Sequence, residues 1–190
     1  MEACRQNGID VVKRVGGGSA VYHKDEITYC FVCRLDALPA PDAKTWRQLF
    51  ALFMEKLGAQ PDGGRSCTTS RHTNSACFSC AAEDEPTIGG KKFVGSARRK
   101  SKTVFLQHGS ILLRSQPQIL QTLVANAEAD ASVGLMDVIP SLSREDAQKV
   151  FAETVAEILG LQFEPGAFTG AEKAAASAIE LLKRRETDTA

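Results

Sequence analysis

What this chain has little of sets its first limits. Aromatic residues make up only 6% of its 190 positions, with one Trp and two Tyr. No uninterrupted apolar run reaches the ~18 residues that a bilayer span requires, so no membrane partner is expected. The opening MEACRQNGID lacks the apolar stretch of a secretory signal. Net charge is also missing, because 23 Lys+Arg balance 23 Asp+Glu, and global charge therefore points to no nucleic-acid partner. No internal repeat is visible. These absences lead to the expectation of a soluble, cytoplasmic protein. What is present is ordinary: 43% hydrophobic and 24% charged residues exclude disordered, collagenous and coiled-coil classes. A chain of this length suits one domain with a real core.

Six cysteines stand at 4, 30, 33, 67, 77 and 80. Without an export signal, reduced thiols are expected, and any function would be catalysis or metal binding. Cys30 and Cys33 form a CxxC inside TYCFVC, a run rich in strand formers. Residues three apart on a strand face opposite ways, so the pair reads as buried structural thiols. Cys67, His72, Cys77 and Cys80 offer four soft ligands in a polar loop, a possible tetrahedral zinc set. Only one CxxC supports that reading, and no metal is expected.

Along the chain, Ile9–Val12 and Ala20–His23 look β-like on either side of three consecutive glycines, which permit close backbone approach to a ligand. Thr28–Leu35 reads as a strand. Pro41 and Asp42 open a helix whose Trp46, Leu49, Phe50, Phe53 and Leu57 share one face, closed by Gly58. Residues 59–75 are polar loop. Short strands follow between 76 and 113, including Lys92–Val94 and Thr103–Leu106. The remainder, about 116–190, is helical: one helix after Pro117, one from Ser143 to Leu159, and one opened by the capping box Thr169-Gly170-Ala171-Glu172. Strands first and helices after give an α+β class. Between Lys91 and Ala127 there are basic residues at 91, 92, 98, 99, 100, 102 and 114 and no acid. Such a tract suits an acidic partner or a phosphate, or is simply a solvated face. It lacks the interleaved aromatics that base stacking would need.

Two segments carry a resemblance. KRVGGGSAVYHKDEITYC resembles the R-R-x-T-G-G-x-A-V-x-H…E-[LI]-T-Y-S signature of the lipoate–protein ligase and octanoyltransferase family. ACFSCAAEDEPTIGGKKFVGSARRKSKTVFLQHGSILL is similar to its second half, with Cys77, Phe78, Glu85, Gly90 and Lys92 in register, then Gly95, Ser96 and Ala97, then Gln107, His108, Gly109 and Ser110. The pattern is that of the cysteine-dependent octanoyltransferases. Lys13, Gly16 and Arg98 depart from the family's Arg, Thr and Gln. Members also carry several dozen residues before this signature, so the resemblance implies a single catalytic domain over 1–190 lacking its N-terminal part.

The resemblance implies a mixed sheet flanked by helices, the core shared with biotin–protein ligases and class II aminoacyl-tRNA synthetases. It implies Cys77 and Lys92 as catalytic residues. For substrate binding it implies Arg14, Gly16, Gly17, Gly18, Ala20 and His23 from the first segment. Gly95, Ser96, Ala97, His108 and Gly109 come from the second. The implied reaction moves an octanoyl or lipoyl group from acyl carrier protein to a lysine of lipoyl domains of 2-oxoacid dehydrogenases or of glycine-cleavage H protein. A thioester is already activated, so no cofactor is needed. The alternatives are an ATP- and Mg-dependent lipoate ligase, and an inactive family fragment that binds acyl groups or carrier proteins.

Overall fold

A computed structural model describes residues 2–12, 20–62, 85–115, 122–123 and 132–188. The chain divides into two units, Met1–Gly17 with Gln162–Ala190, and Gly18–Leu161. The larger unit contains the strands and helices that carry the described site residues. Its sheet has three antiparallel strands in the order β1-β5-β4: β1 (Glu26–Arg34), β4 (Val94–Lys100) and β5 (Val104–Leu112). A separate hairpin pairs β2 (Thr87–Ile88) with β3 (Lys91–Lys92), and an isolated parallel bridge joins Lys92 to Ser132. The pairing is therefore mixed, with helices against it, as expected.

Register decides which side chains go inward. Tyr29 lies opposite Gly109, which lies opposite Ser96; Phe31, Gln107 and Arg98 form the next row. Laterally paired residues share a face. Tyr29 and Phe31 point to helix α2 (Ala43–Lys56), where Trp46 lies 6.0 Å from the Tyr29 ring and 5.9 Å from Phe31. α2 begins where the sequence indicates, with the Asp42 carboxylate accepting from the Thr45 N–H at 2.7 Å. Trp46, Leu49, Phe50 and Phe53 are all buried. The short helix α3 (Leu135–Val138) leads to α4 (Arg144–Leu159), capped by Ser143 through the Asp146 N–H at 3.0 Å. Phe151 of α4 completes the aromatic layer, 5.1 Å from Tyr29 and 5.4 Å from Phe53. Burying each such ring contributes about 1.5–3 kcal/mol.

The smaller unit holds α1 (Glu2–Gln6) and α5 (Gly170–Asp188). Its capping box forms as read: Thr169 Oγ1 accepts from the Glu172 N–H at 3.2 Å, and Glu172 Oε2 accepts from the Thr169 N–H at 2.7 Å.

Two expectations are corrected. Ile9–Val12 is not a strand, and Ala20 makes only an isolated bridge before the irregular residues 21–23. The chain instead starts helically, with the Ile9 N–H bonded to Cys4 O at 2.8 Å, and Asp10, Val11 and Val12 are exposed without a ladder partner among the described residues. Cys30 and Cys33 lie on β1 as expected, but Cys30 is exposed and Cys33 only half-buried. Strand alternation sends Cys30 away from the aromatic layer. The loop beyond residue 62, and all of the helix after Pro117 except helical Thr122–Leu123, lie outside the described residues.

Gly109 meets a close approach. A Cβ there would stand 2.5 Å from Gly95 O and 2.7 Å from Tyr29 Cε1. Gly109→Ala is therefore expected to lower stability by about 1–3 kcal/mol, because neither the strand nor the packed ring can retreat. The midpoint of urea unfolding checks this, and an unchanged midpoint would contradict it.

Candidate active site

The hairpin that carries Lys92 is built by Gly89 and Gly90, whose φ values of +58° and +71° make the two-residue turn that matches strand twist. Asp62 locks it: its carboxylate accepts from Thr87 Oγ1 and from the Gly90 N–H, each at 2.8 Å. Burial pushes the Asp62 carboxyl up, but these bonds outweigh it and hold the group below its ordinary value. Alternation then separates the two lysines, Lys91 exposed and Lys92 buried.

Lys92 Nζ pairs with Glu85 Oε2 at 2.6 Å, and the two side chains are 6% and 5% exposed. The other Glu85 oxygen accepts from the Ser96 N–H at 3.1 Å. Ser96 also reaches the Tyr29 phenol, to which Gln107 Nε2 donates at 3.3 Å. Burial pushes the Tyr29 pKa far up, so the phenol stays protonated. Gln107 is fully buried, and its Oε1 has no hydrogen-bond partner among the described residues. Lys92, Glu85, Ser96, Tyr29 and Gln107 thus form one connected polar cluster in which Gly109 is the close-packed floor.

His23 belongs to a second cluster. Its Nδ1 lies 2.7 Å from Glu26 Oε1, which also accepts from Thr28 Oγ1 at 2.6 Å and Ser110 Oγ at 2.8 Å. Burial pushes the Glu26 carboxyl up, yet the bonds from His23, Thr28 and Ser110 prevail and set it below its ordinary value. Register places Gly95, Ala97 and His108 on this same sheet face, opposite the face of Ser96 and Gly109. Ala20 is exposed. Cys77, Arg14, Gly16, Gly17 and Gly18, and the zinc set Cys67, His72, Cys77 and Cys80, lie outside the described residues. Among the described residues no group of His, Cys, Asp and Glu could hold a metal ion, and no helix is long and apolar enough to cross a membrane.

Glu85, Glu26, Tyr29 and Gln107 had no role assigned from sequence, although all four stand in the motif segments. The missing signal is pairing: each gains its meaning from a partner on another strand.

Two outcomes follow from these clusters. Lys92→Met combined with Glu85→Gln keeps shape without charge, so it should remain folded yet lose turnover more than about tenfold, whereas Lys91→Ala should have little effect. Transfer assays beside circular dichroism decide this, and greater damage from Lys91→Ala would contradict it. Separately, because the folded Glu26 carboxyl sits below its unfolded value near 4.5, its stabilising effect is complete above that value and is lost as pH falls through the lower folded one. The gap in urea midpoint between the wild type and Glu26→Gln should therefore shrink on acidification from neutral pH. A gap that widens would contradict this.

Known proteins resemble this chain in sequence and in fold. The family model described as the lipoyl protein ligase A/B catalytic domain matches residues 1–164. The octanoyltransferase LipM of Moorella thermoacetica is 32% identical over 97% of this chain and 77% of its own length. That of Kyrpidia tusciae is 30% identical over 94% of this chain and 73% of its own. Among solved structures, a lipoate–protein ligase A bound with ATP superposes with a TM-score of 0.74 at 19% identity, covering 94% of this chain and 70% of that one. A bipartite lipoate protein ligase from Thermoplasma acidophilum, studied with its E2 lipoyl domain, gives 0.71 at 18%, with 94% and 69% covered. These structures share the fold. With the family model spanning most of the sequence, this chain belongs to the lipoyl protein ligase A/B catalytic domain family.

Proposed function

We propose that the chain is an octanoyltransferase of protein lipoylation. It takes the octanoyl group of acyl carrier protein onto Cys77 and passes it to a lysine of a lipoyl domain or of glycine-cleavage H protein. The relatives named as octanoyltransferases support the transfer reaction. The observation that carries the reading is the buried Lys92–Glu85 pair beside the Gly95-Ser96-Ala97 stretch. Desolvating two charges costs several kcal/mol per ion, roughly, and a buried pair contributes little net stability. An ammonium kept there at such cost has a use in chemistry.

In the first half-reaction the Cys77 thiolate attacks the thioester carbonyl, forming a new C–S bond, and the carrier's thiolate leaves and takes a proton. A thiol with pKa about 8.5 is only slightly ionised at neutral pH, so a nearby cation favours the nucleophile. Lys92 supplies that cation, and its N–H groups can also donate to the oxyanion of the tetrahedral intermediate. Glu85 holds the ammonium in one place. Exposed Arg98, Arg99, Lys100 and Lys102 give an acidic carrier a positive surface to approach. The donor thioester is already activated, so the reaction consumes no ATP.

Intact-mass spectrometry after incubation with octanoyl carrier protein tests the reading. A thiol-labile octanoyl adduct should form on the wild type and on Cys80→Ser, and be absent from Cys77→Ser. An adduct that persists on Cys77→Ser refutes the nucleophile. Modification of lipoyl domain from free octanoate and ATP, with none from octanoyl carrier protein, would establish the ligase instead.

A further inference from the structure

A row of polar residues runs through Lys92, outside the three-stranded sheet. Thr87 of β2 pairs with Lys92 of β3 on one side, and Ser132 bridges Lys92 in parallel on the other. Asp62 extends the row beyond Thr87. Laterally paired residues share a face, so Asp62, Thr87, Lys92 and Ser132 all send their side chains the same way. Thr87 Oγ1 donates to Asp62 Oδ1 at 2.8 Å, and Lys92 Nζ pairs with Glu85 Oε2 at 2.6 Å. Ser132 differs. It is 6% exposed, and its Oγ has no hydrogen-bond partner among the described residues.

Looseness does not explain this. The Val133 N–H donates to Lys92 O at 3.0 Å, the Gly134 N–H to Asp137 Oδ2 at 2.9 Å, and the Met136 N–H to Leu113 O at 2.9 Å. The Gly134 backbone lies against that of Arg114 with no room for a Cβ. The chain leaving Ser132 is therefore pinned to β3 and to the end of β5. A buried hydroxyl with nothing to bond is costly, and folded proteins keep few of them. Glu26 Oε2, Trp46 Nε1 and Gln107 Oε1 also lack partners among the described residues, but none of these three residues pairs with Lys92.

Chemistry narrows what can meet Ser132. An ammonium only donates, and the hydroxyl beside it has a proton to give, so a group seated against both must accept. Glu85 balances the charge of Lys92, which leaves the buried pair without net charge. A neutral carbonyl oxygen loses far less solvation on entering such a place than a carboxylate or a phosphate does.

We infer that Ser132 is a substrate-binding residue whose hydroxyl donates to the carbonyl oxygen of the acyl group bound beside Lys92. The inference rests on the octanoyl-transfer reading and adds a second donor to it. In the free protein the unbonded hydroxyl lowers stability; with the acyl group in place it contributes affinity. As transfer begins, that oxygen gains negative charge and the bond to it strengthens.

Stability and affinity should therefore respond to Ser132→Ala in opposite directions. Removing an unbonded hydroxyl relieves its desolvation penalty, so the urea midpoint of the variant should equal or exceed that of the wild type. Binding is followed by calorimetry on the full chain with two unreactive probes. One is carrier protein bearing octanoyl through an amide in place of the thioester; the other bears an octyl thioether, which has the chain but no carbonyl. The wild type should prefer the amide probe by about tenfold, and Ser132→Ala should bind the two within about twofold of each other, the loss falling on the amide probe alone. A lower urea midpoint in Ser132→Ala means that the hydroxyl already has a structural partner, and it overturns the inference. So does a preference for the amide probe that survives the substitution. Neither result touches octanoyl transfer itself. A wild type that binds neither probe refutes the functional reading, and this inference falls with it.

Discussion

The central strand β5 governs this protein through its period of two. Gln107 and Gly109 face the aromatic layer, while His108 and Ser110 face the other way, and each recruits a partner from β1 and β4 in the same row. Gly109 lets the Tyr29 ring lie flush against the strand, which brings its phenol to Gln107 and Ser96. Ser110 ties Glu26 and His23 on the reverse face. Both polar clusters therefore hang from four consecutive residues. A slip of one residue in this register would exchange the two faces and dismantle both.

The aromatic layer makes that register rigid. Tyr29, Trp46, Phe50 and Phe151 contact one another in stacked, tilted and edge-on pairs with centroids 5.1–6.2 Å apart. An ion pair as dry as Lys92–Glu85 needs such backing, because it cannot supply net stability of its own. It is held in turn from outside the sheet by the Asp62-clamped hairpin. The candidate chemistry and the core are thus linked by order: the rings fix the strands, the strands fix the amides, and the amides fix the carboxylates.

Much of this was legible in the sequence where the signal is local. Asp42, Ser143 and Thr169 announce their helices because a cap acts within one turn, and the spacing of Trp46, Leu49, Phe50 and Phe53 reveals a buried face without knowledge of what covers it. Strands are less legible, since a β-prone run such as Ile9–Val12 forms nothing without a neighbour to pair with. The choice of Lys92 over Lys91 needed the motif; hairpin alternation then supplies its physical ground. The division of the motif residues between two faces could not be read, because it depends on registers between strands far apart in the chain. For the same reason Glu85 and Glu26, visible in the motifs, had no role until their partners on other strands were in place.

The binding of Glu85 to the Ser96 amide also bears on how this molecule behaves in company. Among the described residues β4 borders its sheet on one side only, and an exposed row of backbone donors and acceptors is a template on which another chain can add a strand. Near its start that row is occupied by a buried carboxylate; toward its end it carries Arg98, Arg99 and Lys100, all exposed. A second copy approaching edge to edge would meet a used amide and then its own positive charge. The same contact that holds the candidate site's ammonium therefore also uses up a backbone donor that a further strand would need.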